Sequence, residues 1–398
     1  MPFSKLGLKP ELISALTDKG YTAPTPIQTQ SIPIIMAGKD VVAAAQTGTG
    51  KTAAFVLPIL QKLNNGHTLR GKRIRSLILV PTRELAIQVH ENIEAYSKNI
   101  ELTSMAMYGG TDIDEQKRRL INGVDVLVAT PGRLLDMAHQ RALHFDELKV
   151  VVLDEADRML DMGFGNDIRD ILDRLPHERQ SLLFSATLSR DVEDLSVDLT
   201  EYGPNGDVVE IRVTPKTEAA TSVSQWMIGV DKDTRSALLS HLIKEEQWDQ
   251  ALIFVEQKHV AAKLVAQLAK RDIEADSIHG DRSQAQREHV LNRFKSGELK
   301  FLVATGVAAR GIDIGKLSRV LNYDLPFKPE EYIHRIGRTG RAGASGEAIS
   351  FVTWGDFKKL CAIESRLDHL LERREIEGFK ARKAVPISIL NYVPKSQR

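Results

Sequence analysis

The sequence predicts an α/β protein of two tandem domains, each a mostly parallel sheet flanked by helices. Three observations carry that expectation. Short apolar strands alternate with helix-length amphipathic segments along the whole chain. The two halves also echo each other: LILVPTRELA (Leu77–Ala86) and LIFVEQKHVA (Leu252–Ala261) each read as strand, polar turn, then helix. VLVAT (Val126–Thr130) likewise matches FLVAT (Phe301–Thr305), and the spacing from Val80 to Val128 and from Val255 to Val303 is 48 residues in both halves. Finally, 398 residues are more than a single core usually serves.

In chain order the first half is expected to hold strands at Val41–Ala45, Ser76–Val80, Asp125–Ala129, Val150–Leu153 and Ser181–Phe184. The second half offers Ala251–Val255, Lys300–Ala304, Arg319–Asn322 and Ala348–Val352. Between them Thr214–Ser224 is rich in Thr, Ser, Ala, Pro and Lys and lacks apolar periodicity. The expected division is therefore 1–212, a linker 213–222, a second domain 223–371 and a tail 372–398.

Composition narrows the class. The chain is 42% hydrophobic and 27% charged, and no apolar run approaches a membrane span. Met1–Gly7 has no secretory apolar core, so a cytoplasmic location is expected. One cysteine, Cys361, excludes an intrachain disulfide and a cysteine-rich metal site. Net charge is +1, which says nothing about nucleic acid. Residues 1–200 carry 23 Lys+Arg and 26 Asp+Glu, whereas the remainder carries 31 and 27, with seven basic and three acidic residues in 372–398. An RNA-facing basic tail and a solvated terminus are both open readings of that surplus.

The chemistry begins at Ala45–Thr52, AQTGTGKT. A strand, a glycine turn and a helix start leave unpaired N–H groups and the positive end of the helix dipole facing one point, which suits phosphate. Ala45, Gln46, Thr47, Gly48, Thr49 and Gly50 form the loop, Lys51 reaches the β- and γ-phosphates, and Thr52 offers a hydroxyl to Mg²⁺. The general pattern begins with Gly, and here Ala45 stands there. Downstream, Val150–Leu153 runs into Asp154-Glu155-Ala156-Asp157. Asp154 would hold the metal, through water, and Glu155 would orient or deprotonate the attacking water.

These two motifs together closely resemble the DEAD-box ATP-dependent RNA helicases, and further motifs follow in that family's order. Gly20–Gln28 (GYTAPTPIQ) looks like the Q motif, with Phe3 as its upstream aromatic. Pro81–Ala86, Gly109-Gly110, Thr130–Arg133 and Ser185-Ala186-Thr187 match the later motifs of the first half. Leu252–Val255, Gln284–Arg287, Val303–Ile314 and His334–Arg341 match those of the second. The resemblance spans residues 3 to about 370, the motif order being its basis. MLDMGF (Met159–Phe164) and EIEGF (Glu375–Phe379) look most like the bacterial RhlE-like subgroup.

What the resemblance implies is specific. Both domains would be RecA-like, with the nucleotide cleft between them, and ATP and Mg²⁺ as ligands. Gln28 would read the adenine edge, since an amide donates and accepts together, and Tyr21 would pack on the ring. Asp313 would contact the ribose, Gly311 would belong to the nucleotide-binding set, and Arg338 and Arg341 would be arginine fingers. Asp157, Ser185, Thr187 and His334 would couple the nucleotide to RNA. Pro81, Thr82, Arg83, Gly109, Gly110, Thr130 and Arg133 would grip the RNA backbone, continued by His279, Gly280, Gln284, Arg287 and Thr305. One departure is Gly306, where many members carry Asp.

The expected function is ATP-dependent, local and non-processive RNA strand separation or RNA–protein remodelling. The same motifs would also serve an ATP-gated RNA clamp that seldom unwinds. A DNA-directed motor is a third reading. The expected partner is structured or double-stranded RNA read without sequence preference, ribosomal RNA and mRNA included. No membrane partner is expected.

Overall fold

The structure is a computed structural model describing residues 2–45, 48–64, 71–200, 208–213, 223–306, 317–340, 346–388 and 390. The chain divides into two compact units, Met1–Pro215 and Lys216–Arg398. In the first, strands β1 (Asp40–Ala44), β2 (Ile74–Leu79), β3 (Ser104–Met107), β4 (Val124–Ala129), β5 (Val150–Asp154), β6 (Gln180–Ser185) and β7 (Val208–Arg212) form one sheet. Its order is β3-β4-β2-β5-β6-β1-β7, and its pairings are parallel.

Alternation of side chains across the sheet builds a core on each face. Ile78, Val80, Val150 and Val152 face one core, closed by the helices Pro26–Met36, Lys51–Leu63 and Arg83–Ser97. Leu77, Leu79, Val151 and Leu153 face the other, closed by Pro131–His139, Gly165–Leu172 and Arg190–Thr200. Burial on both faces explains why the central strands read as apolar runs.

The second unit contains β8 (Val223–Gly229), β9 (Ala251–Val255), β10 (Ala275–Ile278), β11 (Phe301–Thr305), β12 (Arg319–Asn322), β13 (Gly346–Val352) and β14 (Glu372–Arg374). The order is β10-β11-β9-β12-β13-β8-β14. Each position is held by the counterpart of the strand in the first sheet, β8 for β1 through to β14 for β7. The expected parallel α/β duplication is therefore a duplication of the entire strand order.

All nine expected strands are present, shifted by no more than two residues at an end. Five others were not expected: β3, β7, β8, β10 and β14. Strands β3 and β10 are edge strands of four residues, each with two buried and two half-buried, too short for a pattern to show. Strand β14 corrects the expected tail. Glu372–Arg374 pairs in parallel with Trp226–Ile228 of β8. Arg374 also lies over the Trp226 ring at 4.4 Å. Within the strand Arg373 donates to the carbonyls of Val385 and Pro386, both at 2.7 Å. Arg382 donates to Asp231 at 2.8 Å and Asp233 at 2.7 Å. A charged tripeptide carries no apolar signal, because backbone pairing rather than burial makes it a strand.

Candidate functional site

The phosphate loop leaves the carboxyl end of β1, whose neighbour in the sheet is β6. Ala45 N–H donates to the Ser185 carbonyl at 2.9 Å, fixing the start of the loop to the end of β6. Gly48 (φ +85°) and Gly50 (φ +89°) are both left-handed, which lets the chain turn back onto the helix Lys51–Leu63. Lys51 is the first helical residue and is 6% exposed. Its Nζ donates to the Ala45 carbonyl at 2.9 Å, so the lysine lies folded over the loop it serves. Burial holds its ammonium below the usual lysine range, opposed by the charges of Asp154 and Asp157. Thr49, Gly50 and Thr52 are half-buried and Gly48 is exposed. Gln46 and Thr47 lie outside the described residues.

Asp154 ends β5, two strands from β1, and is buried. Burial raises its carboxyl to about 6, against the pull of Lys51. Glu155 follows at φ +54°, a left-handed conformation uncommon for a non-glycine residue. Its N–H donates to Asp154 Oδ1 at 3.0 Å. Its carboxylate forms a buried ion pair with Arg158, one helical turn on. Asp157 N–H donates to Ser185 Oγ at 3.3 Å, and Thr187 Oγ1 donates to Asp157 Oδ2 at 3.1 Å. The acid turn and the Ser185–Thr187 turn are thus directly tied.

Gln28 is 2% exposed and sits at the third position of the helix Pro26–Met36. Its Oε1 accepts from Thr25 N–H at 2.9 Å, completing a capping box, and its Nε2 donates to the Gly50 carbonyl at 3.1 Å. A Cβ at Gly50 would strike this amide and displace it, and the left-handed φ there also favours glycine. Tyr21 is 40% exposed and its hydroxyl meets that of Tyr96 at 3.2 Å. Phe3 packs edge-on against it, 6.5 Å between centroids. Burial, then the contact with Tyr21, raises the Tyr96 hydroxyl above the usual tyrosine range.

The residues assigned to RNA lie at the other end of the same sheet edge. Pro81, Thr82 and Arg83 follow β2, Gly109 and Gly110 follow β3, and Thr130 to Arg133 follow β4. Thr82 caps the helix Arg83–Ser97 by accepting from Leu85 N–H at 3.3 Å. A side chain at Gly110 (φ +85°) would strike the Arg83 guanidinium. Arg133 donates to Gln116 Oε1 and to the Thr111 carbonyl, both at 3.1 Å, which holds its guanidinium beside the glycine turn.

In the second unit the equivalent strands carry the equivalent residues. His279 and Gly280 follow β10, the counterpart of β3, and Thr305 ends β11, the counterpart of β4. Arg287 is half-buried on the helix Gln284–Lys295, which Gln284 begins. His334 lies on the helix Pro329–Ile336, and Arg338, buried, follows its C-terminus at Gly337. Gly311, Asp313 and Arg341 lie outside the described residues.

Three participants escaped the sequence reading. Thr25 is a helix cap, legible as Thr-x-x-Gln. Arg158, one turn from Glu155, was legible as an opposite charge at helical spacing. Arg335, within the quoted HRIGR motif, is 3% exposed and bonded to Glu331 at 2.8 Å. No group of three or more His, Cys, Asp or Glu able to hold a metal occurs among the described residues.

Comparison with known proteins agrees with this arrangement. Residues 25–195 match the DEAD/DEAH box helicase family, and 234–343 match the helicase conserved C-terminal domain. The DEAD-box ATP-dependent RNA helicase RhpA of Helicobacter pylori is 40% identical over 374 residues, covering 94% of this chain and 74% of the relative. The ATP-dependent RNA helicase RhlB of Vibrio vulnificus is 40% identical, covering 93% and 85%. A solved structure described as S. cerevisiae Dbp5 bound to RNA and ADP BeF3 superposes with a TM-score of 0.82 at 32% identity, covering 94% of this chain and 95% of that one. The folded phosphate loop, the acid turn and the duplicated sheet are those of a nucleotide-binding member of the DEAD-box ATP-dependent RNA helicase family, to which this chain belongs.

Proposed function

We propose that this chain uses ATP binding and hydrolysis to separate short RNA duplexes or remodel RNA–protein complexes, locally and without processive movement. One observation supports this above the others. A continuous path of hydrogen bonds runs from Gln28 through Gly50, and from Lys51 through Ala45, Ser185 and Asp157 to Thr187. Groups that would sense adenine and phosphate are therefore wired to a turn on the same rim as the RNA-assigned residues.

In this reading Gln28 orients the base, the loop N–H groups and Lys51 hold the phosphates, and Arg338 and Arg341 stabilise charge on the γ-phosphate. Glu155 must exchange its pairing with Arg158 for a water molecule, which then attacks. The oxygen donors at hand, the Thr52 hydroxyl and the buried Asp154 carboxylate, fit Mg²⁺, which would neutralise phosphate charge there. Thr82, Arg83, Gly110, Thr130 and Arg133, with His279, Gly280, Gln284, Arg287 and Thr305, contact the phosphate–sugar chain without reading sequence. Unstacking costs about 1.4 kcal/mol per step by the DNA figure. A few steps are within reach of differential binding, whereas long unwinding in one event is not.

The domain division follows the same logic: 1–212 binds ATP, 213–222 links, and 223–371 carries the later motifs, with β14 added to its sheet. Within the family, MLDMGF and EIEGF argue for the RhlE-like subgroup. A cytoplasmic site of action is proposed, and no helix among the described residues is long and apolar enough to cross a membrane.

The test is Glu155→Gln. It retains shape but removes the base, so RNA-stimulated turnover should fall by roughly 10²-fold or more. RNA should then dissociate more slowly with ATP than without it, and RNA rather than DNA should stimulate the wild-type ATPase. RNA release indifferent to ATP would refute the coupling.

A further inference from the structure

Gly306 stands immediately after β11, and the space a side chain would need there is already taken. A Cβ built on it collides with a Glu331 carboxylate oxygen and lies 3.1 Å from its Cδ and 3.4 Å from Arg335 Nη2. The same carboxylate oxygen accepts from Arg335 Nε at 3.2 Å and Nη2 at 2.8 Å. The guanidinium is nearly closed off from solvent. Its Nη1 donates to the Asp324 carbonyl at 2.8 Å and to Asn322 Oδ1 at 3.3 Å, and it lies over the Phe254 ring at 5.0 Å. Arg335 thereby ties the helix Pro329–Ile336 to the carboxyl ends of β9 and β12. Arg338 follows directly, its N–H donating to the Arg335 carbonyl at 3.2 Å.

We propose that Gly306 and Glu331 are an exchanged pair: the carboxylate that clamps Arg335 comes from the helix instead of the strand end, and this clamp positions Arg338 for turnover. Glu331 is a positioning residue, and the departure at Gly306 is what makes room for it. The geometry makes the exchange reversible. A carboxylate borne on a Cβ 3.4 Å from Arg335 Nη2 reaches hydrogen-bonding distance once Glu331 is shortened. With both present, two carboxylates compete for one space and repel. The functional half of the proposal rests on the reading of Arg338 given above.

The experiment is a double-mutant cycle on the full chain with Glu331→Ala, Gly306→Asp and the combination, beside Glu331→Gln and Arg338→Ala. Steady-state RNA-stimulated ATPase and thermal melting are measured for each. Glu331→Ala leaves a buried guanidinium without its carboxylate and should lower kcat roughly tenfold or more, with KM for ATP changed by less than about threefold. Gly306→Asp alone should also lower kcat. Together they should restore kcat to within about threefold of wild type and recover the melting temperature, and Glu331→Gln should fall between. A combination no better than Glu331→Ala alone, or Glu331→Ala with wild-type kcat, overturns the proposal. If Glu331→Ala melts too low to assay, recovery of both readouts in the combination supports it and no recovery overturns it. Wild-type turnover by Arg338→Ala would instead refute the reading of Arg338. Rescue of melting by the combination would then still stand.

Discussion

Gln28→Glu separates the bonds that one amide makes to Thr25 and Gly50 from the base contact proposed for it. An amide has two acceptor and two donor positions. In this structure Thr25 N–H takes one acceptor position and the Gly50 carbonyl takes one donor. One donor and one acceptor remain, which is the complement of an adenine edge. Glutamate at the third helical position keeps the acceptor for the capping box, so the helix Pro26–Met36 should persist. What it loses is the donor to Gly50, whose carbonyl is left facing a carboxylate in a site 2% exposed. An unsatisfied buried acceptor costs about 1–3 kcal/mol. For a unit of this size each kcal/mol is worth roughly 2–4 °C, so melting should fall by about 2–12 °C. ATP affinity should fall roughly ten- to a hundredfold, because the remaining donor to the base is also lost. Both deficits should shrink at acid pH, where the substituted group protonates and regains an O–H donor. Nucleotide titration and thermal melting at two pH values make the measurement. Wild-type melting together with wild-type ATP affinity would show that neither the Gly50 bond nor the amide donor matters.

Two further expectations follow from single bonds. Thr187→Val retains bulk but removes the donor to Asp157, so duplex separation should drop by more than ATP hydrolysis; an equal loss of both would mean that this bond does not couple them. Asp40 has its carboxyl raised by burial, opposed by the Ser181 N–H bond at 2.7 Å. Its stabilising share is therefore complete below the unfolded carboxylate value and is lost as pH rises through the folded one. Asp40→Asn keeps an acceptor for Ser181 and should raise the melting temperature at pH 7, the gain fading as pH falls toward the unfolded carboxylate range. A gain independent of pH would refute burial as its cause.

The parts legible in sequence are those where one physical demand acts alone. Strands β2, β4, β9 and β11 are buried on both faces and are apolar over most of their length, the buried Arg75–Asp125 pair aside, so their repeat shows at once. Lys51 and Asp154 are legible because the phosphate and metal roles proposed for them admit few side-chain types at that spacing. Legibility fails where a residue serves two demands or where backbone does the work. Gln28 reads as a base contact and conceals a helix cap. Strand β14 reads as charge because backbone pairing and the Arg374–Trp226 contact, not apolar side chains of its own, hold it on β8. The meeting of Gly306 with Glu331 depends on how a helix lies across a strand end, which no local spacing encodes.

The place of β14 bears on how the chain can be shortened. It covers the outer edge of β8, whose Trp226, Met227 and Ile228 would otherwise present unpaired N–H and C=O groups on a strongly apolar segment. Such an edge is a template for another chain. Truncation after Leu371, which composition invites, would therefore trade a soluble terminus for a self-associating one. A cut after Ser388 would leave the edge sealed, with Arg373 and Arg382 still latching the returning chain to the second unit.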